Sequence, residues 1–230
     1  MKTIGILGGM SWESSLTYYQ LINEGVKEKL GGLHSAKIAM YSVDFEEIEK
    51  LQHKGEWDKT ADILSAYAKN IEKCGADFLV IATNTMHKVA PQIEATIDIP
   101  ILHIADATAK ELIKNSVKKV GLLGTAFTME QDFYKGRLEE KFNLEVLTPN
   151  KKDRELVHKI IYNELCLGKT KEASKKEYLR VIGKLAKDGA EAIILGCTEI
   201  GLLIKQEDTD IKLYDTTLIH ANAAVEMATS

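Results

Sequence analysis

Two stretches of this chain recur half a chain later, and that repeat limits what it can fold into. Thr3-Ile4-Gly5-Ile6-Leu7-Gly8-Gly9 resembles Lys119-Val120-Gly121-Leu122-Leu123-Gly124-Thr125. Gly75-Ala76-Asp77-Phe78-Leu79-Val80-Ile81-Ala82-Thr83-Asn84 aligns without gaps on Gly189-Ala190-Glu191-Ala192-Ile193-Ile194-Leu195-Gly196-Cys197-Thr198. Both pairs lie about 115 residues apart in a chain of 230, well outside the roughly 20–50-residue period of solenoids. Any two buried strands look somewhat alike, so one pair can be chance. Two pairs in the same order at nearly the same offset point to a duplicated half-chain unit.

The content of each half follows from its hydrophobic pattern. Short, continuously apolar runs read as strands buried on both faces: Thr3–Leu7, Lys37–Val43, Phe78–Thr83, Ile101–His103, Val120–Leu123, Leu144–Leu147 and Ala192–Gly196. Amphipathic runs between them read as helices: Ser14–Leu30, Trp57–Lys73, Ala105–Asn115, Met129–Lys141, Asp153–Leu165 and Lys171–Lys187. Strand-helix alternation implies α/β units with parallel sheets. The expected fold is two similar Rossmann-like (flavodoxin-like) α/β domains, related by a pseudo-two-fold axis, with the active site in the cleft between them. The expected N-terminal domain is 1–98 plus 210–230, and the C-terminal domain 99–209.

Composition excludes several classes of function. The net charge of −4, with only three Arg (Arg137, Arg154, Arg180) among 30 basic residues, gives no phosphate-gripping surface, so no nucleic-acid partner is expected. Three dispersed cysteines, Cys74, Cys166 and Cys197, fit neither a disulfide framework nor a zinc site and suit a reducing cytosol. Met1–Gly9 enters directly into a strand-like run without the h-region of a signal peptide. No apolar stretch nears the roughly 20 residues that cross a bilayer. A soluble, cytoplasmic protein without membrane partners is expected.

Ligands of open α/β sheets bind beyond the carboxyl ends of the strands. Four such ends carry polar or reactive residues: Gly8-Gly9-Met10-Ser11, Thr83-Asn84-Thr85, Gly124-Thr125-Ala126 and Cys197-Thr198-Glu199. The repeat superposes Thr83 on Cys197, so these two are expected to flank the cleft from opposite sides. Cys197 precedes a helical-looking segment, Thr198–Ile204, whose dipole would lower the thiol pKa and favour thiolate. Taken alone, Cys197 reads better as a small apolar core residue; its strand-end position and the matching segment at Thr83 favour function. Asn84, Thr85 and Thr198 stand where side chains and helix N-termini hold a carboxylate, or simply cap helices. The Gly8–Ser14 loop is not a GxGxxG fingerprint, so a dinucleotide is not expected; Ser11 reads as a ligand contact or as a helix cap. His87, near a helix start, can tune the site or be structural. His103 near Asp106 is a possible proton couple, Asp215 reads as a cap, and Cys74 and Cys166 read as helix packing residues.

Three motifs then carry a resemblance. Gly5-Ile6-Leu7-Gly8-Gly9-Met10, Thr83-Asn84-Thr85-Met86-His87 and Gly196-Cys197-Thr198-Glu199-Ile200 resemble the aspartate/glutamate racemase family in order, spacing and context, over essentially the whole chain. The resemblance implies two α/β domains sharing a cleft, a homodimer, no pyridoxal phosphate and no metal. It also implies a pair of thiols on opposite faces of the substrate α-carbon, one removing the proton and the other returning it. Here Thr83 stands where the family has its first Cys, and Cys166 lies near the place of a family Lys that helps hold an acidic substrate. Gly8-Gly9-Met10-Ser11-Trp12-Glu13-Ser14 together with Thr83 resembles a subgroup of amino-acid racemases. By that resemblance Cys197 and Thr83 are the catalytic pair, unequal toward L and D forms. Aspartate or glutamate is the expected substrate, and Met10, Gln52, Asn84, Thr85, Thr125, Thr198 and Glu199 are expected to bind it. Relatives that decarboxylate arylmalonates, isomerise maleate or racemise hydantoins leave a second enzymatic reading open, and loss of the first thiol leaves a small-molecule binding protein as a third.

Overall fold

A computed structural model describes residues 1–230. The chain forms two compact units, Met1–Ile104 with His220–Ser230, and Ala105–Ile219. The expected crossings at 98/99 and 209/210 thus move to 104/105 and 219/220.

The first unit contains β1 (Ile4–Gly8), α1 (Trp12–Leu30), β2 (Ile38–Ser42), α2 (Phe45–Lys54), α3 (Trp57–Lys73), β3 (Phe78–Ile81), a 3-10 turn (Thr85–Val89) and α4 (Ala90–Glu94). Its sheet is parallel, in the order β2-β1-β3. Side chains alternate across a strand, and both faces are covered. Ile4, Ile6, Phe78 and Val80 pack with Tyr18, Ile22 and Val26 of α1. Leu7, Leu79 and Ile81 pack with Leu64, Ala68 and Ile71 of α3. Burial on both faces is why β1 and β3 read as unbroken apolar runs; β2, expected to be buried in the same way, lies at the sheet edge and is only half-buried. The run Ile101–His103 is not a strand: it contributes one parallel bridge, Leu79 with Ile101, which keeps it in the first unit.

The second unit contains α5 (Ile104–Lys114), β4 (Lys119–Gly124), α6 (Ala126–Glu130), α7 (Lys135–Phe142), β5 (Glu145–Leu147), α8 (Lys151–Asn163), α9 (Glu172–Lys187), β6 (Ala192–Gly196), α10 (Ile200–Leu203) and β7 (Lys212–Asp215). α11 (Thr216–Thr229) starts here and ends in the first unit. The sheet order is β5-β4-β6-β7, all parallel. Pairing of β7 with β6 places residues 210–219, expected in the N-terminal domain, in the second unit. The long helix expected over Met129–Lys141 is two helices, because Gln131 takes an extended conformation (φ −103°, ψ 151°).

The sequence repeat has a packing basis. In each unit the first strand lies between the next two, and Gly5 and Gly121 occupy matching places. A Cβ at Gly5 would stand 2.6 Å from Ile71 Cγ2 of α3, and one at Gly121 3.0 Å from Leu185 Cδ1 of α9. Both glycines admit a helix against a central strand. Two cysteines depart from expectation. Cys74 caps the C-terminus of α3 and is exposed, and Cys166 lies half-buried in a 3-10 turn, Leu165–Leu167. No helix is long and apolar enough to cross a membrane.

Candidate active site

In the first unit the candidate residues lie at the ends of β1 and β3. Gly9 has φ +91°, and a Cβ there would fall 2.3 Å from the backbone of Val43, so only glycine lets the chain turn against the end of β2. The following Met10–Ser11 peptide is cis. Three serines fix this loop. Ser15 Oγ accepts the Gly9 amide (2.7 Å) and donates to Ser11 O (3.0 Å). Ser11 Oγ accepts the Ser14 amide (3.3 Å) as the N-cap of α1. Ser14 Oγ donates to Ala82 O (3.0 Å), binding the loop to the end of β3. Of the two readings of Ser11, the cap is the one seen.

Thr83, Asn84 and Thr85 are all buried. They lead into the 3-10 turn rather than a full α-helix, and Asn84 makes no side-chain capping bond. The helix N-terminus expected behind Asn84 and Thr85 is therefore a single tight turn. Met10 and Gln52 belong to the same neighbourhood. Met10 packs in one cluster with Leu7, Val43, Ile48 and Met86, and the buried Gln52 on α2 directs Nε2 at Met86 Sδ, 3.8 Å away.

His87 Nδ1 lies 2.8 Å from Thr83 O, and its Nε2 accepts the Ile104 amide at 3.2 Å. The His103 ring packs against His87, tilted by 59°, at 4.4 Å between centroids. Asp106, the expected partner of His103, receives Arg137, through Nε and through Nη2 at 2.9 Å, and Lys141 Nζ at 2.6 Å.

In the second unit the end of β6 gathers a thiol, a hydroxyl and a carboxylate. Cys197 Sγ donates to Glu199 Oε2 (3.0 Å), and Thr198 Oγ1 donates to the same oxygen (2.8 Å). All three residues are buried, Cys197 to 8% exposure and Glu199 to 3%. Burial pushes the Cys197 thiol well above its ordinary pKa, and the Glu199 charge pushes it the same way. This reverses the lowered pKa expected from a helix dipole. α10 has four residues and starts three positions after the thiol, so its dipole is too short and too far to compensate. Thr125 at the end of β4 caps α6, its Oγ1 accepting the Thr128 amide (3.3 Å). Asp215 caps α11 through the amides of Thr217 (2.8 Å) and Leu218 (3.3 Å).

A family model described as Asp/Glu/Hydantoin racemase matches residues 7–224. The chain belongs to that family. It is 55% identical to a candidate Asp/Glu racemase from Yersinia pestis whose crystal structure superposes with a TM-score of 0.94, all of both chains being covered. An aspartate racemase homologue from Pyrococcus horikoshii OT3 is 38% identical over all of both chains, with a TM-score of 0.86. A broad specificity amino-acid racemase of Bacillus subtilis is 23% identical over 96% of each chain.

Within this racemase-family chain, the first unit brings Met10, Gln52, Thr83, Asn84 and Thr85 to one neighbourhood, and the second brings Cys197, Thr198 and Glu199 into direct contact. Sequence reasoning missed the hydrogen bond of Glu199 with the Cys197 thiol, since spacing alone does not tell a ligand contact from a thiol contact. It also missed Ser15 and the tie from Ser14 to the end of β3. The signal for Ser15 was Gly8, whose absent Cβ would stand 2.5 Å from Ser15 Oγ.

Proposed function

We propose that this chain is an amino-acid racemase that needs no pyridoxal phosphate and inverts the α-carbon of aspartate or glutamate. The observation that carries the reading is the buried Cys197–Glu199 pair at the end of β6. Glu199 accepts the thiol proton, and the thiolate takes the α-proton of the substrate. The electron pair left on carbon spreads into the substrate carboxyl group, which Asn84, Thr85, Thr125 and Thr198 hold by hydrogen bonds, with Met10 and Gln52 around the side chain. A proton returns on the other face from the side of Thr83. A buried thiolate is a strong base because its conjugate thiol is weakly acidic, which suits removal of a proton from carbon. We read the working form as a cytoplasmic homodimer; Trp12, Leu16 and Tyr19, exposed on one face of α1, favour a covered surface there.

The Thr83 hydroxyl is a far weaker acid and base than a thiol: delivering its proton to the carbanion leaves an alkoxide that solvent re-protonates as Glu199 gives up the proton it took. L and D forms are equal in free energy, so kcat/KM for the two directions must match. The asymmetry therefore appears in exchange against inversion. The enantiomer whose α-proton faces Cys197 exchanges with solvent faster than it inverts, and the other exchanges no faster than it inverts.

The test is proton NMR in D2O with L- and D-aspartate and L- and D-glutamate separately, followed by chiral chromatography. Loss of the α-proton with appearance of the other enantiomer is expected, absent in Cys197→Ser, and with the two enantiomers brought closer by Thr83→Cys. No exchange from any of the four overturns the reading and favours a binding protein or another carbanion enzyme. An unchanged rate in Cys197→Ser overturns the choice of base.

A further inference from the structure

We infer that His87 is a positioning residue for Thr83, an inference that rests on the racemase reading. The ring is 1% exposed and fixed at both nitrogens. The Ile104 amide can only donate, so the Nε2 it reaches at 3.2 Å is unprotonated. The proton therefore sits on Nδ1 and is donated to Thr83 O at 2.8 Å. His103 at 4.4 Å and His220 at 5.9 Å, centroid to centroid, pack against the ring and hinder its rotation.

The main-chain amide of His87 also donates to Asn84 O (3.1 Å). One residue thus grips two successive carbonyls of the segment that carries Thr83, Asn84 and Thr85. The Thr83 carbonyl belongs to the Thr83–Asn84 peptide, so fixing it fixes that plane and the direction in which the Thr83 side chain leaves the backbone. The far nitrogen anchors the ring to the start of α5, where an amide of the first helical turn needs an acceptor. The segment Thr83–His87 is then an aligned loop whose geometry is set from behind, without His87 itself touching substrate.

Removing this grip should affect the Thr83 side of the reaction and spare the Cys197 side. In His87→Ala, inversion in D2O is expected to fall about tenfold or more, as misplacement of a reacting group costs. At saturating substrate, which offsets a looser hold of the carboxyl group by Asn84 and Thr85, exchange at the face served by Cys197 stays near the wild-type rate, so the ratio of exchange to inversion rises. Two further variants separate positioning from mere filling of space. Asn places a donor at the δ position, where it can reach Thr83 O, and leaves Ile104 without its acceptor. Gln reaches the ε position and leaves Thr83 O without its donor. His87→Asn should restore the wild-type ratio and His87→Gln should not, with thermal melting followed for each and this pair deciding the matter if the alanine variant does not fold. A parallel fall of exchange and inversion, or the same ratio in Asn and Gln variants, overturns the inference while leaving the racemase reading intact. A wild-type chain that exchanges no α-proton overturns both.

Discussion

Burial and the adjacent carboxylate keep the Cys197 sulfur protonated in the resting protein, so the residue waits as a thiol and not as a stored nucleophile. Glu199 then has two opposed effects. Its charge disfavours the thiolate, and its oxygen is the nearest place for the thiol proton to go. Glu199→Gln separates them. With the charge gone, the thiol should ionise more easily and react faster with iodoacetamide at neutral pH. With the proton acceptor gone, α-proton exchange should fall by roughly 10²–10⁴-fold, the usual worth of a positioned general base. Faster alkylation with slower exchange is the expected pair of readings, and unchanged exchange would remove Glu199 from the mechanism. Sequence alone could place Cys197 at a strand end, because the repeat did so. It could not show the depth of burial of the thiol or the carboxylate two residues on turning back to the sulfur, and the dipole argument therefore took the wrong sign.

Helix α11 closes the α1 side of the first sheet, and His220 is its polar anchor. Tyr18 Oη donates to His220 Nδ1 (2.8 Å), and His220 Nε2 donates to Leu102 O (2.7 Å). Both nitrogens are committed in the neutral ring, and burial lowers its pKa from 6.5 to about 4. The folded state therefore binds fewer protons than the unfolded chain between those values. The stability contribution is complete above pH 6.5 and is lost as pH falls toward 4. Between pH 7 and pH 5 this group should cost about 2 kcal/mol of unfolding free energy, read as a lowered urea midpoint. His220→Asn should flatten the dependence in that window, and an equally steep profile in the variant would assign it to other groups. How far each element could be read from sequence follows its surroundings. α3 and α9 show one apolar face and one charged face, and their ranges were apparent. α11 presents Ala221, Ala224, Val225 and Ala228 to the core amid other small and apolar residues, so its pattern lacks contrast and only the strand-to-helix junction at Asp215 was visible. α2 is ten residues long with six of them acidic or basic, too short a window to stand out from a loop.

The two units repeat a topology yet are unequal as stretches of chain. Ala105–Ile219 is continuous, whereas the first unit needs residues from both sides of it. The fourth strand position is filled by β7 in one sheet and by a single bridge at Ile101 in the other, and the repeat was legible because matching glycines and apolar strands survive these differences. The split unit carries a consequence for the protein while it is being made. Nascent chains usually fold their leading domain first, but here Ile4, Ile6, Tyr18, Ile22 and Val26 lack the helix residues Ala221, Ala224, Val225 and Ala228 that complete their cluster. These arrive only after the whole of the second unit has been synthesised. A chain released after Ile219 should therefore show a protease-resistant core from 105–219 beside a readily cut first hundred residues, and extension through residue 230 should protect both. The expected order of completion is thus the reverse of the order of synthesis: 105–219 holds all of its own unit, whereas the first unit waits for residues 220–230.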